Sequence, residues 1–217
     1  MTNYAIARDH MIEGQIKPNQ VSDPHVLEAF RHTAREVYVP AALRGVAYVD
    51  ESIEIAPGRY LMEPRVFARL LQAALPGAGD VVLDVGSGSG YSAAVLAALA
   101  GSVVALEEDG DLAARATALL AESGLANAEV VKGALVDGCA GHGPYQVIVL
   151  NGQVDEVPQA LLDQLADGGR LVGVERLGGV GKAVLYQKDQ GIVGRRELFD
   201  ASVAPLPGFA KPKSFTF

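Results

Sequence analysis

The middle of the chain alternates between short apolar runs of strand length and longer runs with helical character. The short runs, rich in Val, Leu and Ile, cover residues 81–85, 102–106, 128–131, 146–150 and 170–174. The segments between them with helical propensity or spacing cover residues 91–100, 109–124 and 158–165. Because strands that alternate with helices usually pair in parallel, the pattern predicts an α/β fold. We expect a doubly wound, mostly parallel, Rossmann-like sheet with helices on both faces.

Local signals set several boundaries within this pattern. Asp109 and Asp111 are candidate N-caps of one helix, and Gly124 is a candidate for its C-terminal end. Pro158 is predicted to open the following helix. The sequence Asp-Gly-Gly at 167–169 predicts a turn before the last of the five strands.

Both ends of the chain differ from this middle part. Near the C-terminus, strand-like runs at 182–188 and 192–198 flank a turn and predict an antiparallel hairpin that closes the sheet. The first seventy or so residues show helical patterns near 4–13 and 24–33, followed by an extended stretch at 50–55. This region is predicted to be a helical elaboration on the sheet.

The tail PLPGFAKPKSFTF is rich in Pro and Lys. Two interpretations of it stay open: a loose end, or a strap that Phe209 and Phe215 pack against the fold.

Composition and charge narrow the possible partners. The chain has 217 residues, of which 49% are hydrophobic and 20% charged, as in an ordinary globular protein. Its formal net charge is −8, which argues against nucleic acid or an anionic membrane as the main partner.

Cysteine and histidine usage gives little sign of metal or redox chemistry. Cys139 is the single cysteine, so an intramolecular disulfide cannot form, and the four scattered histidines lack metal-ligand spacing. We therefore expect no metal site. The first fifteen residues lack the pattern of a signal peptide, and the most apolar segment, 93–106, is too short to span a bilayer. A cytoplasmic location is expected.

The stretch LDVGSGSGY contains the most specific local motif. Gly86, Gly88 and Gly90 alternate, and Tyr91 stands where a dinucleotide fingerprint would have its third glycine. No phosphate-binding Gly-Lys-Ser/Thr sequence follows the glycines either. Such a loop lets a ligand approach the backbone closely but supplies no cation to neutralise a phosphate. This suits S-adenosylmethionine better than NAD. The plainer interpretation is a tight turn with close helix packing.

Acidic residues at two strand ends favour the cofactor interpretation. Asp84 ends the first strand and could face the amino-acid part of S-adenosylmethionine, directly or through water. Glu107 ends the second strand and could accept hydrogen bonds from both ribose hydroxyls. With Ser87 and the three glycines, these acids form the predicted cofactor site.

The sequence resembles the protein-L-isoaspartate O-methyltransferases, a family of class I methyltransferases. The similar segments are MIEGQIKPNQVSDPHVLEAFRHTAREVYVP, AYVDESIEI, LDVGSGSGY and VPQALLDQLADGGRLV. The resemblance implies methyl ester formation on isoaspartyl carboxylates of damaged proteins, with S-adenosylmethionine as donor. The run Pro-Gly-Ala-Gly at 76–79 predicts a boundary within one compact unit, between 1–76 as a helical and acceptor-loop elaboration and 77–217 as the cofactor-binding core. The resemblance implies that Ala134 and Leu135 lie beside the adenine.

Several positions depart from the family pattern. The family loop that reads like TISxP appears here as YLMEP, so Tyr60 replaces the threonine and Met62 the serine implicated in catalysis. Ala134 replaces the aspartate that meets the adenine amino group. No catalytic residue is assigned, although Tyr60, Arg59 and Arg65 are candidates, and either arginine could hold a carboxylate bidentately.

These departures leave three functions open. In the first, the chain methylates an isoaspartyl carboxylate in a protein or peptide. In the second, it methylates a different acceptor such as a small molecule. In the third, it binds S-adenosylmethionine without methyl transfer. Glu63, beside the altered loop position, is expected to point to solvent or to repel an incoming carboxylate.

Overall fold

The computed structural model describes residues 3–211. Its strands, in chain order, are β1 Ile53–Ala56, β2 Arg59–Leu61, β3 Val81–Val85, β4 Ser102–Glu107, β5 Ala128–Lys132, β6 Tyr145–Val154, β7 Leu165–Leu177, β8 Val180–Asp189 and β9 Ile192–Asp200. The α-helices are α1 Tyr4–Met11, α2 Pro24–His32, α3 Pro64–Ala74, α4 Tyr91–Ala97, α5 Gly110–Glu122 and α6 Gln159–Asp163.

Seven strands form one sheet in the order β5-β4-β3-β6-β7-β8-β9, while β1 and β2 form a separate two-stranded sheet. The first five strands of this order run parallel, and β8 and β9 complete the sheet antiparallel. The predicted fold class and the C-terminal hairpin are therefore confirmed. The strand order reverses at β3, which lies between β4 and β6, and ligands of open α/β sheets bind at the carboxyl ends of strands at such a point.

Both faces of the sheet are covered, as the continuous apolar runs of the central strands require. Helices α3, α4 and α5 and the N-terminal segment pack on one face around Val82, Val147 and Val172. Helix α6 and the C-terminal residues pack on the other face around Leu83 and Ile148. Within residues 3–211, no helix combines the length and the apolar character needed to cross a bilayer.

Several predicted boundaries are corrected. The Asp109 carboxylate caps α5, where it accepts hydrogen bonds from the backbone amides of Asp111 and Leu112, so Asp111 belongs to the first turn instead. Helix α4 ends at Ala97, and α6 is only five residues long with Pro158 at its N-cap position. The sequence patterns located these helices but overestimated their lengths.

The predicted turn at 167–169 lies inside β7. That strand begins at Leu165 opposite Tyr145, and the pairing then shifts, so that Arg170 lies opposite Val147. Gly168 has a φ of 76° within this irregularity. The glycines therefore form a bulge that lets the strand continue, and the prediction of a separate turn was wrong.

Residues 201–211 form a segment that we call the C-terminal strap. The Gln153 amide donates to the Ala204 carbonyl, and the Leu206 amide donates to the Gln153 carbonyl, both at 2.8 Å. Phe209 and Leu206 are buried against the sheet. The described part of the tail is thus a strap, as one of the two interpretations predicted, while Phe215 lies outside the described residues.

Arg35 joins the N-terminal segment to the rest of the fold. Its side chain is fully buried, and it donates from Nε to the Ala47 carbonyl and from Nη2 to the Met62 carbonyl, each at 2.7 Å. Its guanidinium lies 4.8 Å from the ring centroid of Tyr91, at the start of α4. Because these partners come from three separate segments, one side chain fixes their relative positions.

Candidate functional site

The glycine loop, residues 86–90, connects β3 to α4 at the carboxyl edge of the sheet. The backbone amides of Gly86 and Ser87 both donate to the Leu106 carbonyl, at 2.9 and 3.1 Å, which ties the loop to the end of β4. Gly86 and Gly88 have φ values of 75° and 57°, in the left-handed region where other residues are strained. The predicted loop, Asp84 and Glu107 therefore meet at one place in the fold.

The Glu107 side chain is fully buried and carries five hydrogen bonds. Its Oε1 accepts from the backbone amides of Glu108 and Asp109, at 2.9 and 3.0 Å. Its Oε2 accepts from the backbone amide of Gly88 at 2.7 Å. The remaining two donors are Nη1 and Nη2 of Arg59, at 2.5 Å to Oε1 and 2.6 Å to Oε2.

Arg59 therefore does hold a carboxylate bidentately, but the carboxylate belongs to the chain itself. The side chains of the pair are 7% and 0% exposed. An ion pair buried to this degree is maintained by good geometry, since either charge alone would be costly in the interior. The sequence predicted both residues as site residues but did not predict their pairing.

Asp84 lies beneath the loop, with its carboxylate fully buried. It accepts hydrogen bonds from the Ser92 hydroxyl at 2.7 Å and from the Asn151 side-chain amide at 2.5 Å. Burial raises the pKa of Asp84 to about 7, although both hydrogen bonds act in the opposite direction and Glu107 adds a smaller upward effect. The Asp84 side chain thus faces polar side chains of α4 and β6.

Apolar side chains lie against the open side of the glycine loop. A Cβ on Gly86 would meet Leu206 Cδ1 at 2.5 Å, and a Cβ on Gly88 would meet Ile55 Cδ1 at 2.7 Å. Leu206 comes from the strap and Ile55 from β1. A groove of about 520 Å³ lies between α5 and β5, and its lining contains neither Asp84 nor Glu107.

These contacts test whether the site suits S-adenosylmethionine. The residue types fit, because two carboxylates, which accept hydrogen bonds, and a close-approach glycine loop match a phosphate-free nucleoside with a cationic amino-acid part. The space does not fit in this conformation, because Leu206, Ile55 and Arg59 fill the volume beside Gly86 and Gly88.

The altered acceptor loop is more buried than the sequence suggested. Met62 is buried, and so is Glu63, whose carboxylate accepts a hydrogen bond from the Ser52 hydroxyl at 2.7 Å. The expectation that Glu63 points to solvent was wrong. Arg65 pairs with Asp50 at 3.1 Å, away from the glycine loop.

The remaining predicted positions lie around this loop. Tyr60 is half-buried on β2. Ala134 is exposed, Leu135 is buried, and the preceding Gly133 amide donates to the Glu107 carbonyl at 3.1 Å. Within residues 3–211 the Ser87 hydroxyl has no hydrogen-bond partner although it is buried.

Four contact residues were absent from the predicted site: Ser92, Asn151, Ile55 and Leu206. Asn151 carried a signal, because it stands near the carboxyl end of β6, the central strand of the sheet, where site residues collect. Ser92 is the second residue of α4. The two apolar residues carry no local signal, since their contacts depend on how the hairpin and the strap fold back over the sheet.

Comparison with known proteins gives a consistent result. The sequence model of the protein-L-isoaspartate(D-aspartate) O-methyltransferase family matches residues 6–206. Protein-L-isoaspartate O-methyltransferase 1 of Rhodopseudomonas palustris (strain HaA2) is 40% identical over 171 residues, which cover 79% of this chain and 70% of the relative. The protein-L-isoaspartate O-methyltransferase of Koribacter versatilis (strain Ellin345) is 37% identical over 210 residues, which cover 96% and 94%.

A solved structure agrees with these relatives in fold. It is a Plasmodium falciparum protein described as a protein-L-isoaspartate O-methyltransferase, in complex with S-adenosyl-L-homocysteine. It superposes with a TM-score of 0.79 at 20% identity, covering 95% of this chain and 99% of the other.

Proposed function

Since the chain belongs to the protein-L-isoaspartate(D-aspartate) O-methyltransferase family, whose sequence model it matches over residues 6–206, we propose that it methylates isoaspartyl carboxylates in damaged proteins. S-adenosylmethionine is the methyl donor of this family. The observation that carries the proposal is the convergence of Asp84, Glu107 and the glycine loop at the carboxyl edge of the sheet. This is the place where a doubly wound sheet binds its ligand.

The acceptor chemistry is compatible with the residues at the altered loop. A carboxylate is already ionised at neutral pH, so it needs no general base. Because Met62 replaces the family serine, the site lacks a hydroxyl that could orient the acceptor. The nucleophile, which is the acceptor carboxylate itself, is unaffected. Loss of one such hydrogen bond corresponds to about 1–3 kcal/mol when it leaves a buried acceptor unpaired.

We also propose several wider assignments. The partner is a protein or peptide that carries the acceptor carboxylate, and the net charge of −8 disfavours nucleic acid. We place the protein in the cytoplasm. We also assign residues 1–76 to the elaboration that meets the acceptor and residues 77–217 to the cofactor-binding core. Ala134 and Leu135 are assigned to the adenine side of the site.

Transfer of labelled methyl groups tests this function. An isoaspartyl peptide and its aspartyl twin are incubated with the protein and labelled S-adenosylmethionine at concentrations up to the millimolar range. We expect base-labile counts on the isoaspartyl peptide only. Equal counts on both peptides, or none on either, would contradict the isoaspartyl assignment.

A further inference from the structure

The hydrogen-bonding capacity of Glu107 is exhausted by the chain's own donors. A carboxylate offers about four lone-pair positions, and Glu107 already accepts three backbone amides and two guanidinium nitrogens. A ribose diol that reached this residue would find no free acceptor. The backbone donors are fixed by the glycine loop and the start of α5, so Arg59 is the donor that can leave.

Arg59 belongs to an element that is not hydrogen-bonded into the seven-stranded sheet. We call residues 53–61 the β1–β2 hairpin. Among residues 3–211 its strands pair with each other and not with the seven-stranded sheet. The same hairpin carries Ile55, which lies against Gly88. Displacement of the hairpin would therefore remove Arg59 and Ile55 from the glycine loop together.

The guanidinium of Arg59 presents its donors to Glu107 in the same way as a ribose diol would. The planar guanidinium presents two parallel N–H donors to the two oxygens of Glu107. Two adjacent ribose hydroxyls present two donors to the same oxygens. Arg59 and a ribose diol consequently compete for one acceptor, and burial of the ion pair favours the arginine while the hairpin is in place.

We propose that Arg59 is an intramolecular occupant of the nucleoside subsite and thereby sets the affinity of this protein for its cofactor. The inference relies on the proposed cofactor, S-adenosylmethionine. Binding requires the hairpin to leave Glu107, so the apparent affinity is lower than the intrinsic affinity by the fraction of molecules that are open. Arg59 acts on cofactor entry, and it has no part in the transfer step.

The direct test is calorimetric titration with S-adenosylhomocysteine of the wild type, Arg59→Gln and Arg65→Gln. Arg65 is a matched control, because it is an arginine six residues away that pairs with a different acid, Asp50. We expect Arg59→Gln to bind at least tenfold more tightly than the wild type and Arg65→Gln to bind like the wild type. Equal or weaker binding by a folded Arg59→Gln, including no binding by either protein, would overturn the proposal.

A second variant keeps the test decisive if Arg59→Gln does not fold. Arg59→Lys retains the charge but loses the two-donor fork, so we expect a smaller gain in affinity, of about threefold. Circular dichroism checks the fold of each variant. An Arg59→Lys protein with wild-type affinity would then refute the competition.

The methyl-transfer assay separates this inference from the proposed function. A gain in binding by Arg59→Gln without counts on the isoaspartyl peptide would support the competition and contradict isoaspartyl transfer. Brisk transfer by the wild type, together with tight binding that Arg59→Gln does not improve, would support the function and overturn the competition.

Discussion

Asp84 should make the stability of this protein fall as the pH rises towards neutrality. Its carboxyl is fully buried, and its pKa is raised from 3.8 to about 7 by that burial. Between these two values the folded protein keeps a proton that the unfolded chain has lost. The unfolded state then binds fewer protons, so the free energy of unfolding decreases with increasing pH in this window and levels off above it.

The magnitude follows from the shift. Each pKa unit corresponds to 1.36 kcal/mol, and a shift of roughly three units gives about 4 kcal/mol between pH 4 and pH 8. Asp84→Asn replaces the carboxyl by a neutral group of the same shape, which can still bond to Ser92 and Asn151. The variant should match the wild type near pH 4, where Asp84 is protonated, and should be more stable by up to about 4 kcal/mol at pH 8.

Urea unfolding of both proteins at several pH values between 4 and 8 measures this difference directly, because other titrating groups cancel. A difference that stays constant across the range would refute the reasoning. Ser92→Ala provides an internal check. It removes a donor to the carboxylate at 2.7 Å, so the pKa of Asp84 should rise further and the fall in stability should extend to higher pH.

Three further substitutions test the packing around the site. Glu107→Gln should destabilise the fold by about 3–5 kcal/mol in urea unfolding, because it leaves the Arg59 charge buried and unpaired; a change below 1 kcal/mol would show that the pair is solvated. Gly90→Ala should cost about 1–3 kcal/mol in thermal unfolding, since φ is 95° and the added Cβ would lie 3.1 Å from the Ala116 Cβ; an unchanged midpoint would contradict the close helix packing. Leu206→Ala should cost about 2–5 kcal/mol, and wild-type stability would show that the strap does not pack in solution.

The sequence was most informative where structure depends on local pattern. The run Val81–Val85 and its successors identified the parallel strands, because buried strands are continuously apolar over their length. The acids at the ends of two strands could be placed together, since the carboxyl ends of parallel strands share one edge. The bulge at Gly168 was misread as a turn, because an Asp-Gly-Gly sequence has the same local preferences in both settings.

The occupants of the glycine loop could not be predicted in the same way. Arg59 and Glu107 are 48 positions apart, and an arginine in a glycine-containing loop is ordinarily solvated. Their pairing depends on where the β1–β2 hairpin folds against the sheet, which no periodicity encodes. Leu206 raises the same difficulty, because the sequence around a single leucine in a proline-rich tail does not distinguish a packed side chain from an exposed one.

The position of the C-terminal strap also has a consequence for synthesis on the ribosome. Leu206, which covers Gly86, follows Glu107 by roughly a hundred residues, and ribosomes add about 5–20 residues per second. For roughly 5–20 s after β4 has been translated, the nascent chain contains Gly86 without Leu206, while Ile55, the apolar neighbour of Gly88, has already been synthesised. Strands β6 to β9 are synthesised during this interval. The apolar cover over Gly86 is therefore completed only after all seven strands of the sheet have been synthesised.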